Sequence, residues 1–347
     1  MIQIENKLIG KGQPCFIAAE IGINHNGDMN LPKLMIDAAI ECGADAVKFQ
    51  NYYTEDFILN RDLKYTYISM DKEITESQFE MFKRYELNFD QLELLKNYCD
   101  KNGILFFSTP TSKKGIEDLL KLKVRLLKNG SDLLVNLPLI KEMAKTGIPT
   151  ILSTGMALVS EIDEAVRAFE EEEGKELILL HCTSSYPTPN EEVNLNKLES
   201  LKKVFDYPVG FSDHTSGIEA AISSIALGCN FIEKHFTLDK TLPGPDHRFS
   251  SDPYEFKQLV SGIRKVEAML GTSKIGPTTS EKLGRNGFRL SCALSKDLAK
   301  GDIITENDIV FLRPASGLHP RFSESLINRK IKTSKLKGQF INFTDVE

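Results

Sequence analysis

The sequence lacks any apolar run that approaches the roughly 20 residues needed for a membrane-spanning helix. It also lacks an excess of positive charge, because 43 lysines and arginines against 49 aspartates and glutamates give a net charge of −6. It therefore carries no basic footprint for nucleic acid. The opening stretch MIQIENKLIGKG lacks the apolar segment of a secretory signal. These absences predict a cytoplasmic protein that binds neither membranes nor nucleic acids.

Cysteine is scarce and scattered. No two of the six cysteines form a CxxC pair, and most lie in apolar runs that resemble strands or helices. A disulfide framework or a thiolate zinc site is therefore not expected. Reduced cysteines in such runs behave as small hydrophobic residues.

Short apolar runs alternate with helical patterns over most of the chain. The eight predicted strands are Cys15–Glu20, Ala46–Gln50, Ile104–Pro110, Arg125–Lys128, Thr150–Gly155, Leu177–Cys182, Val209–His214 and Phe231–Phe236. This alternation predicts parallel strands joined by right-handed helical crossovers, the α/β class. Eight units favour a closed (β/α)8 TIM barrel. An open doubly wound sheet is the alternative, since periodicity alone cannot show closure, although no GxGxxG fingerprint follows the first strand.

The composition changes after residue 270. The segment GTSKIGPTTSEKLGRNG is rich in residues typical of linkers. Four short strand-like pieces follow, at Leu290–Leu294, Asp302–Ile304, Ile309–Leu312 and Gln339–Phe343. We therefore predict a barrel over residues 1–272, a linker over 273–285 and a small β-rich domain over 286–347.

Polar side chains occur at nearly every predicted strand end, where a barrel binds its ligands. They include Glu20, Lys48, Gln50, Thr109, Lys128, Ser131, Ser153, Ser184, Tyr186, Ser212, His214 and His235, with Asp246 further downstream. An apolar strand needs no ionisable end for its stability, so the set together predicts an active site.

The residue types at these ends indicate the ligands. Lysines with hydroxyl donors around them suit a phosphate and a carboxylate, and Lys48 and Lys128 lie on separate strands of one mouth. His214 and His235 end neighbouring strands, which fits two neutral imidazole ligands of one divalent metal. Acid–base work or simple hydrogen bonding is the other interpretation of the pair. With no thiolate nearby, Mn²⁺ or Mg²⁺ is favoured, with Zn²⁺ as an alternative.

At these residues the sequence resembles the sialic acid (nonulosonate) synthase family, which includes the N-acetylneuraminate, legionaminate and pseudaminate synthases. The matching motifs occur in the family's order: EIGINHNG, AVKFQ, STP, Lys128–Ser131, ILSTGM, HCTSSYPTP, GFSDHTSG, EKHFTLDK and GPDH. The C-terminal part, with LSKDLAKGDIITENDI and LRPASG, resembles the family's SAF (antifreeze-like) domain.

The resemblance implies condensation of phosphoenolpyruvate with an N-acetylated amino sugar to a nine-carbon α-keto acid and phosphate. The implied phosphoenolpyruvate-binding positions are Lys48, Thr109, Lys128, Ser131, Ser153 and Ser212. The implied metal ligands are His214 and His235, usually for Mn²⁺. The implied sugar-binding positions are Glu20, Gln50, Tyr186 and Asp246. Arg313 matches an arginine that the SAF domain extends into the partner's barrel in a domain-swapped homodimer.

Two positions depart from the family pattern. Leu133 stands where the family has an acid, so either the adjacent Asp132 takes that role or Glu20 and metal-bound water handle the protons. Ser184 stands where N-acetylneuraminate synthases often carry asparagine, which favours a sugar bulkier than N-acetylmannosamine, such as a diacetamido-trideoxyhexose. GLHPRF is similar to pseudaminate-type members, whereas GINHNG and GPDH favour the neuraminate and legionaminate side. The sequence therefore leaves the identity of the amino sugar open.

Two other functions compete. A synthase for a phosphorylated sugar would need further cations, for which Lys234, Arg248 and Arg313 are the candidates. A non-catalytic carbohydrate-binding barrel is the other alternative, and Leu133 is its main support.

Overall fold

The structure, a computed structural model, describes residues 1–347 and divides into two compact units, Met1–Gly271 and Thr272–Glu347. The strands of the first unit are β1 (Ile2–Ile4), β2 (Lys7–Ile9), β3 (Phe16–Gly22), β4 (Ala46–Asn51), β5 (Lys64–Ser69), β6 (Lys72–Ser77), β7 (Leu105–Pro110), β8 (Leu127–Asn129), β9 (Thr150–Ser153), β10 (Leu177–His181), β11 (Val209–Asp213) and β12 (Phe231–His235). Its helices are α1 (Leu31–Cys42), α2 (Thr54–Phe57), α3 (Gln78–Tyr85), α4 (Phe89–Asn102), α5 (Lys113–Lys121), α6 (Leu137–Lys145), α7 (Val159–Glu171), α8 (Lys197–Val204), α9 (Glu219–Ala226) and α10 (Pro253–Leu270). None of the helices is both long and apolar enough to cross a membrane.

Eight of these strands form a closed parallel barrel. Their order is β3-β4-β7-β8-β9-β10-β11-β12, and β12 pairs with β3 to close the ring. Each predicted strand overlaps one barrel strand, with ends that differ by up to a few residues. The predicted (β/α)8 barrel is thus confirmed, and the open sheet is excluded.

Alternation along the strands sorts the side chains between two layers. Inward-facing apolar residues fill the amino-terminal part of the barrel, where the rings of Phe16 and Phe231 stack 5.1 Å apart. Ile2, Ile4 and Ile9 of the β1–β2 hairpin join this inner cluster. Because apolar side chains occupy this end, the inward polar residues collect at the carboxyl end of the strands.

The segment between β4 and α4 was not predicted. It contains α2, the antiparallel hairpin of β5 and β6, and α3. Ile23, Tyr52, Met81 and Tyr85 form a separate buried apolar cluster beneath it. Ser69 at the end of β5 accepts a 3.0 Å hydrogen bond from the Gly244 amide, which ties the hairpin to the loop after β12.

The second unit contains α11 (Thr279–Phe288) and the antiparallel pair β13 (Ser291–Leu294) and β14 (Ile309–Leu312). The predicted strands Asp302–Ile304 and Gln339–Phe343 are wrong as strands, because only isolated bridges from Ile303 and Phe340 occur there. The sequence predicted as a linker includes the first turns of α11. All six cysteines of the chain are buried and unpaired.

Candidate active site

A cavity of about 340 Å³ lies at the carboxyl end of the barrel strands. Fourteen of the fifteen predicted site residues line it: Glu20, Lys48, Gln50, Thr109, Lys128, Ser131, Asp132, Ser153, Ser184, Tyr186, Ser212, His214, His235 and Asp246. Arg313, the fifteenth, belongs to the second unit, where its guanidinium lies 5.4 Å from the ring centroid of Phe288. The strand register explains the grouping, since Glu20 pairs with Lys48 on one side and with His235 on the other.

Two lysines and two glutamates form the buried base of the cavity. The Lys48 Nζ lies 2.9 Å from Glu20 Oε2 and 3.8 Å from Glu233 Oε2. The Lys128 Nζ lies 3.8 Å from the other oxygen of Glu233. All four side chains are at most 5% exposed. The ammonium groups of the two lysines therefore pair with carboxylates instead of being hydrated by water.

Burial sets the protonation of these groups. It raises the pKa of Glu20 to about 7, although Lys48 opposes the shift. It would also raise the pKa of Glu233, but Lys128 and Lys48 outweigh it and hold that pKa below its usual value. Burial lowers the pKa of Lys128, whereas the facing carboxylates of Glu20 and Glu233 outweigh burial and raise that of Lys48. Near neutral pH the base therefore holds an ionised Glu233 and a Glu20 that is protonated in part of the molecules.

Glu233 is the central residue that was not among the predicted site residues. The signal that could have found it is the two-residue period of β12, which gives Glu233 the same inward face as His235.

Hydroxyl groups line the space around the two lysines. Thr109 Oγ1 lies 3.3 Å from the Lys48 Nζ, and Ser212 donates a 2.9 Å hydrogen bond to Glu233. Ser131 accepts a 3.1 Å hydrogen bond from the Gly155 amide. The buried Ser153 hydroxyl has no protein partner. This collection of donors beside two cations can hold an anionic ligand.

The two histidines meet at one side of the cavity with their ring centroids 5.5 Å apart. His214 Nδ1 lies 2.8 Å from the Thr183 carbonyl oxygen, a contact that requires its proton on Nδ1 and leaves a lone pair on Nε2, which lies 3.2 Å from Ser212 Oγ. His235 Nδ1 is buried without a hydrogen-bond partner. Burial lowers the pKa of His214 to about 4 and that of His235 well below its usual value, so both rings are neutral.

Neutral imidazoles with free lone pairs fit a divalent cation. No cluster of three or more histidine, cysteine, aspartate or glutamate side chains has metal-binding geometry. His214 and His235 are the predicted pair of ligands, and water or substrate would complete the coordination around them.

Three further residues complete the mouth. Burial raises the pKa of Asp246 to about 7, and its Oδ2 lies 3.8 Å from His235 Nδ1. The Tyr186 ring lies 4.3 Å from that of His214. Asp132 is exposed in a short 3₁₀ turn, and the neighbouring Leu133 packs against the barrel core.

Lys234 was one candidate cation for the alternative of a phosphorylated sugar, but it does not line the cavity. It faces away from the cavity, where its Nζ donates to Asp213 Oδ2 at 2.9 Å and to the Thr215 carbonyl at 2.6 Å. Its side chain is 1% exposed. Arg248 does not line the cavity either.

The buried Asp213–Lys234 pair yields a stability prediction. We expect Lys234→Met to lower the free energy of unfolding by about 3–5 kcal/mol, because it leaves the Asp213 charge buried without its partner. The double variant Asp213→Leu/Lys234→Met should recover much of that loss. Urea unfolding of the two variants beside the parent measures both values, and equal stability of Lys234→Met and the parent would contradict the prediction.

One side of the cavity is apolar, and the sequence did not indicate it. Its members come mainly from the segment between β4 and α4: Ile23, Tyr52, Phe57, Tyr65, Met81 and Phe82. They converge only through tertiary packing, which periodicity along single elements does not reveal.

Comparison with known proteins gives a consistent result. The NeuB family model matches residues 35–275, and the SAF domain model matches residues 291–347. An uncharacterised protein of Methanocaldococcus jannaschii is 45% identical over 345 residues, which cover 99% of this chain and 98% of the relative. The N,N'-diacetyllegionaminic acid synthase of Legionella pneumophila is 37% identical over 342 residues, 97% of this chain and 96% of the relative. Other relatives are named pseudaminic acid synthase and N-acetylneuraminate-9-phosphate synthase.

Among solved structures, the N-acetylneuraminic acid (sialic acid) synthetase of Leptospira borgpetersenii, in complex with citrate, matches with a TM-score of 0.74 and 37% identity. The match covers 81% of this chain and 94% of that chain. The family model spans more than half of the sequence, and the relatives align over nearly all of it. The chain therefore belongs to the NeuB family and carries a SAF domain.

Proposed function

We propose that this protein is a nonulosonate synthase, a transferase that condenses phosphoenolpyruvate with an N-acetylated amino sugar to a nine-carbon α-keto acid and phosphate. The sugar is N-acetylmannosamine or a 2,4-diacetamido-trideoxyhexose. The observation that carries the proposal is the pair of buried lysines that share Glu233, each at 3.8 Å, beside two neutral histidines in one cavity.

The lysines and hydroxyls bind phosphoenolpyruvate. Two anionic groups on one small molecule need two cationic anchors, and Lys48 and Lys128 are the cations that line the cavity. The donors around them are Thr109, Ser131, Ser153 and Ser212. An anion held this way is positioned before the reaction and stabilised through it.

His214 and His235 would hold a divalent cation, Mn²⁺ or Mg²⁺, whose chemistry is Lewis-acid polarisation of the aldehyde oxygen of the open-chain sugar. Gln50, Ser184, Tyr186 and Asp246 line the cavity around this pair and bind the sugar.

The reaction forms one carbon–carbon bond and replaces the C2–O bond to phosphate by a C2–O bond to the oxygen of water. The methylene carbon of phosphoenolpyruvate attacks the aldehyde carbon, and the aldehyde oxygen takes up a proton. Water adds at C2 and loses a proton, which leaves one hydroxyl and one phosphate group on C2. The C2–O bond to phosphate then breaks with its electron pair on the phosphate oxygen, and the C2 hydroxyl proton passes to that phosphate as the ketone forms. Glu20, whose pKa is about 7, is suited to move these protons near neutral pH. Asp132, a further carboxyl group that lines the cavity, is the second residue predicted to act in proton transfer.

We further propose that the active form is a domain-swapped homodimer. A barrel over residues 1–272, a linker over 273–285 and a SAF domain over 286–347 would let Arg313 of one protomer reach the cavity of its partner. The matching SAF domain model and the position of Arg313 outside the first unit support this arrangement.

A synthase for a phosphorylated sugar is the second candidate, favoured by the name of one relative. Lys234 pairs with Asp213, and no lysine or arginine of the same chain beyond Lys48 and Lys128 lines the cavity. In the proposed swapped dimer, the partner's Arg313 is the one remaining candidate cation for a sugar phosphate. A non-catalytic carbohydrate-binding barrel is disfavoured because both lysines and both histidines converge there.

The test is phosphate release from phosphoenolpyruvate, measured with a panel of amino sugars and added Mn²⁺, with products identified by mass. We expect release that depends on both the sugar and the metal, falls to background in excess chelator, and returns when Mn²⁺ is restored. Full activity after complete chelation would contradict the metal role of the two histidines. Sugar binding without any release would favour the non-catalytic alternative.

A further inference from the structure

Cys182 is a buried group of the cavity to which the proposed reaction gives no role. The other five cysteines belong to the apolar cores of the two units, whereas Cys182 belongs to none of them. It follows β10 directly, lines the cavity and is 4% exposed. Its Sγ lies 3.0 Å from the hydroxyl oxygen of Ser131, one of the proposed phosphoenolpyruvate-binding groups. The thiol therefore contacts the site instead of filling a core.

The Ser131 oxygen lies between the ends of two other strands. The Gly155 amide, two residues after β9, donates a 3.1 Å hydrogen bond to it, and the Cys182 thiol approaches it from the end of β10. This close approach requires glycine, because a Cβ atom at position 155 would lie 2.8 Å from Ser131 Oγ and 2.9 Å from Cys182 Sγ. Ser131 thus contacts two groups that barrel strands fix in place.

The hydrogen atoms available around Ser131 decide where its hydroxyl group points. A hydroxyl group has one hydrogen and two lone pairs. Burial raises the pKa of the Cys182 thiol, although Ser131 and Lys128 oppose the shift, so the thiol keeps its proton near neutral pH. The Gly155 N–H occupies one lone pair of Ser131, and the Cys182 S–H can donate to the other. The single hydrogen of Ser131 is then free to face an anion in the cavity.

The opposite arrangement is unfavourable once an anion is bound. If Ser131 donated its hydrogen to the Cys182 sulfur, it would turn a lone pair toward the negative charge of the ligand. An anionic ligand therefore favours the arrangement in which the sulfur is the donor.

We propose that Cys182 is a positioning residue, whose thiol donates to Ser131 and holds the Ser131 hydroxyl with its hydrogen facing bound phosphoenolpyruvate. The inference rests on the proposed function, which assigns the anion to this part of the cavity. The thiol itself takes no part in forming or breaking bonds. A hydroxyl group that is oriented before the ligand arrives loses less rotational freedom on binding. Loss of one such hydrogen bond amounts to about 3- to 10-fold in affinity.

The first experiment separates positioning from packing by steady-state kinetics. We expect Cys182→Ala to raise KM for phosphoenolpyruvate about 3- to 10-fold, while KM for the amino sugar changes less than about twofold. Cys182→Ser, which keeps a donor, should recover most of this loss. Cys99→Ala truncates a fully buried thiol of α4 outside the cavity, so a thermal melt should show lower stability at an unchanged KM. An unchanged KM for phosphoenolpyruvate in Cys182→Ala, equal changes for both substrates, or no recovery in Cys182→Ser would overturn the inference.

The second experiment is a double-mutant cycle on binding alone. Calorimetry measures the affinity for phosphoenolpyruvate, with Mn²⁺ and without sugar, in the parent, Cys182→Ala, Ser131→Ala and the double variant. Since Cys182 acts through Ser131, its removal should weaken binding about 3- to 10-fold in the parent but less than about twofold in the Ser131→Ala background. Equal losses in both backgrounds overturn the inference and leave the proposed function standing. A parent protein that neither binds phosphoenolpyruvate nor releases phosphate from it overturns both.

Discussion

Replacement of His235 by alanine should lower phosphate release by about a thousandfold or more while the barrel stays folded. The imidazole is buried and neutral, its Nδ1 has no protein partner, and it faces His214 across 5.5 Å. In the proposed metal site, loss of one of the two protein ligands would remove a contribution of several kcal/mol to the stabilisation of the developing charge. Steady-state kinetics measures the rate, and titration of Mn²⁺ followed by electron paramagnetic resonance measures the weakened binding.

His181 provides a matched control. It also ends a barrel strand, is buried, and has a pKa lowered by burial. Its ring faces the outer layer, stacks on Phe211, and lies 2.6 Å from the Val193 carbonyl oxygen. His181→Ala should therefore lower stability while Mn²⁺ affinity and kcat/KM of the folded fraction are kept. Parental Mn²⁺ affinity in His235→Ala, or equal loss of Mn²⁺ affinity in both variants, would refute the assignment of His235 as a ligand.

The barrel was predictable because its signal is local and repeated. Each strand is an apolar run with a helix after it, and a polar strand end stands out against such a run without any knowledge of tertiary packing. For the same reason the cavity residues were found as a set: closure brings all strand ends to one mouth, whatever the details of each loop. The strand alternation also separates Glu233 and His235, which face inward, from Lys234, which faces outward. Applied to β12, the two-residue period would have added Glu233 to the predicted site residues and removed Lys234 from the candidate cations.

The β5–β6 hairpin was not predictable by the same means. Its turn residues, Met70 and Asp71, have φ values of 52° and 58°, a conformation for which the usual signal is Asn-Gly. Cross-strand contacts hold the hairpin, including the 2.8 Å bond between Thr66 and Thr75. Tyr65 packs on the apolar cluster beneath. These stabilising contacts join residues that are distant in sequence or that face each other across the two paired strands. A pattern along the chain therefore does not predict them.

A mixed dimer of Arg313→Ala and His235→Ala chains should regain activity that neither parent dimer has. In the proposed swapped dimer, the intact barrel of the Arg313→Ala chain receives Arg313 from its His235→Ala partner, which completes one of the two sites. The other site lacks both groups. Co-expression with two different affinity tags and sequential purification isolates the mixed dimer. Its turnover should reach about half of that of the dimer without substitutions. If Arg313 served its own barrel instead, every site would keep one defect and the mixed dimer would be as inactive as either parent. An active Arg313→Ala homodimer would exclude a catalytic contribution from this arginine altogether.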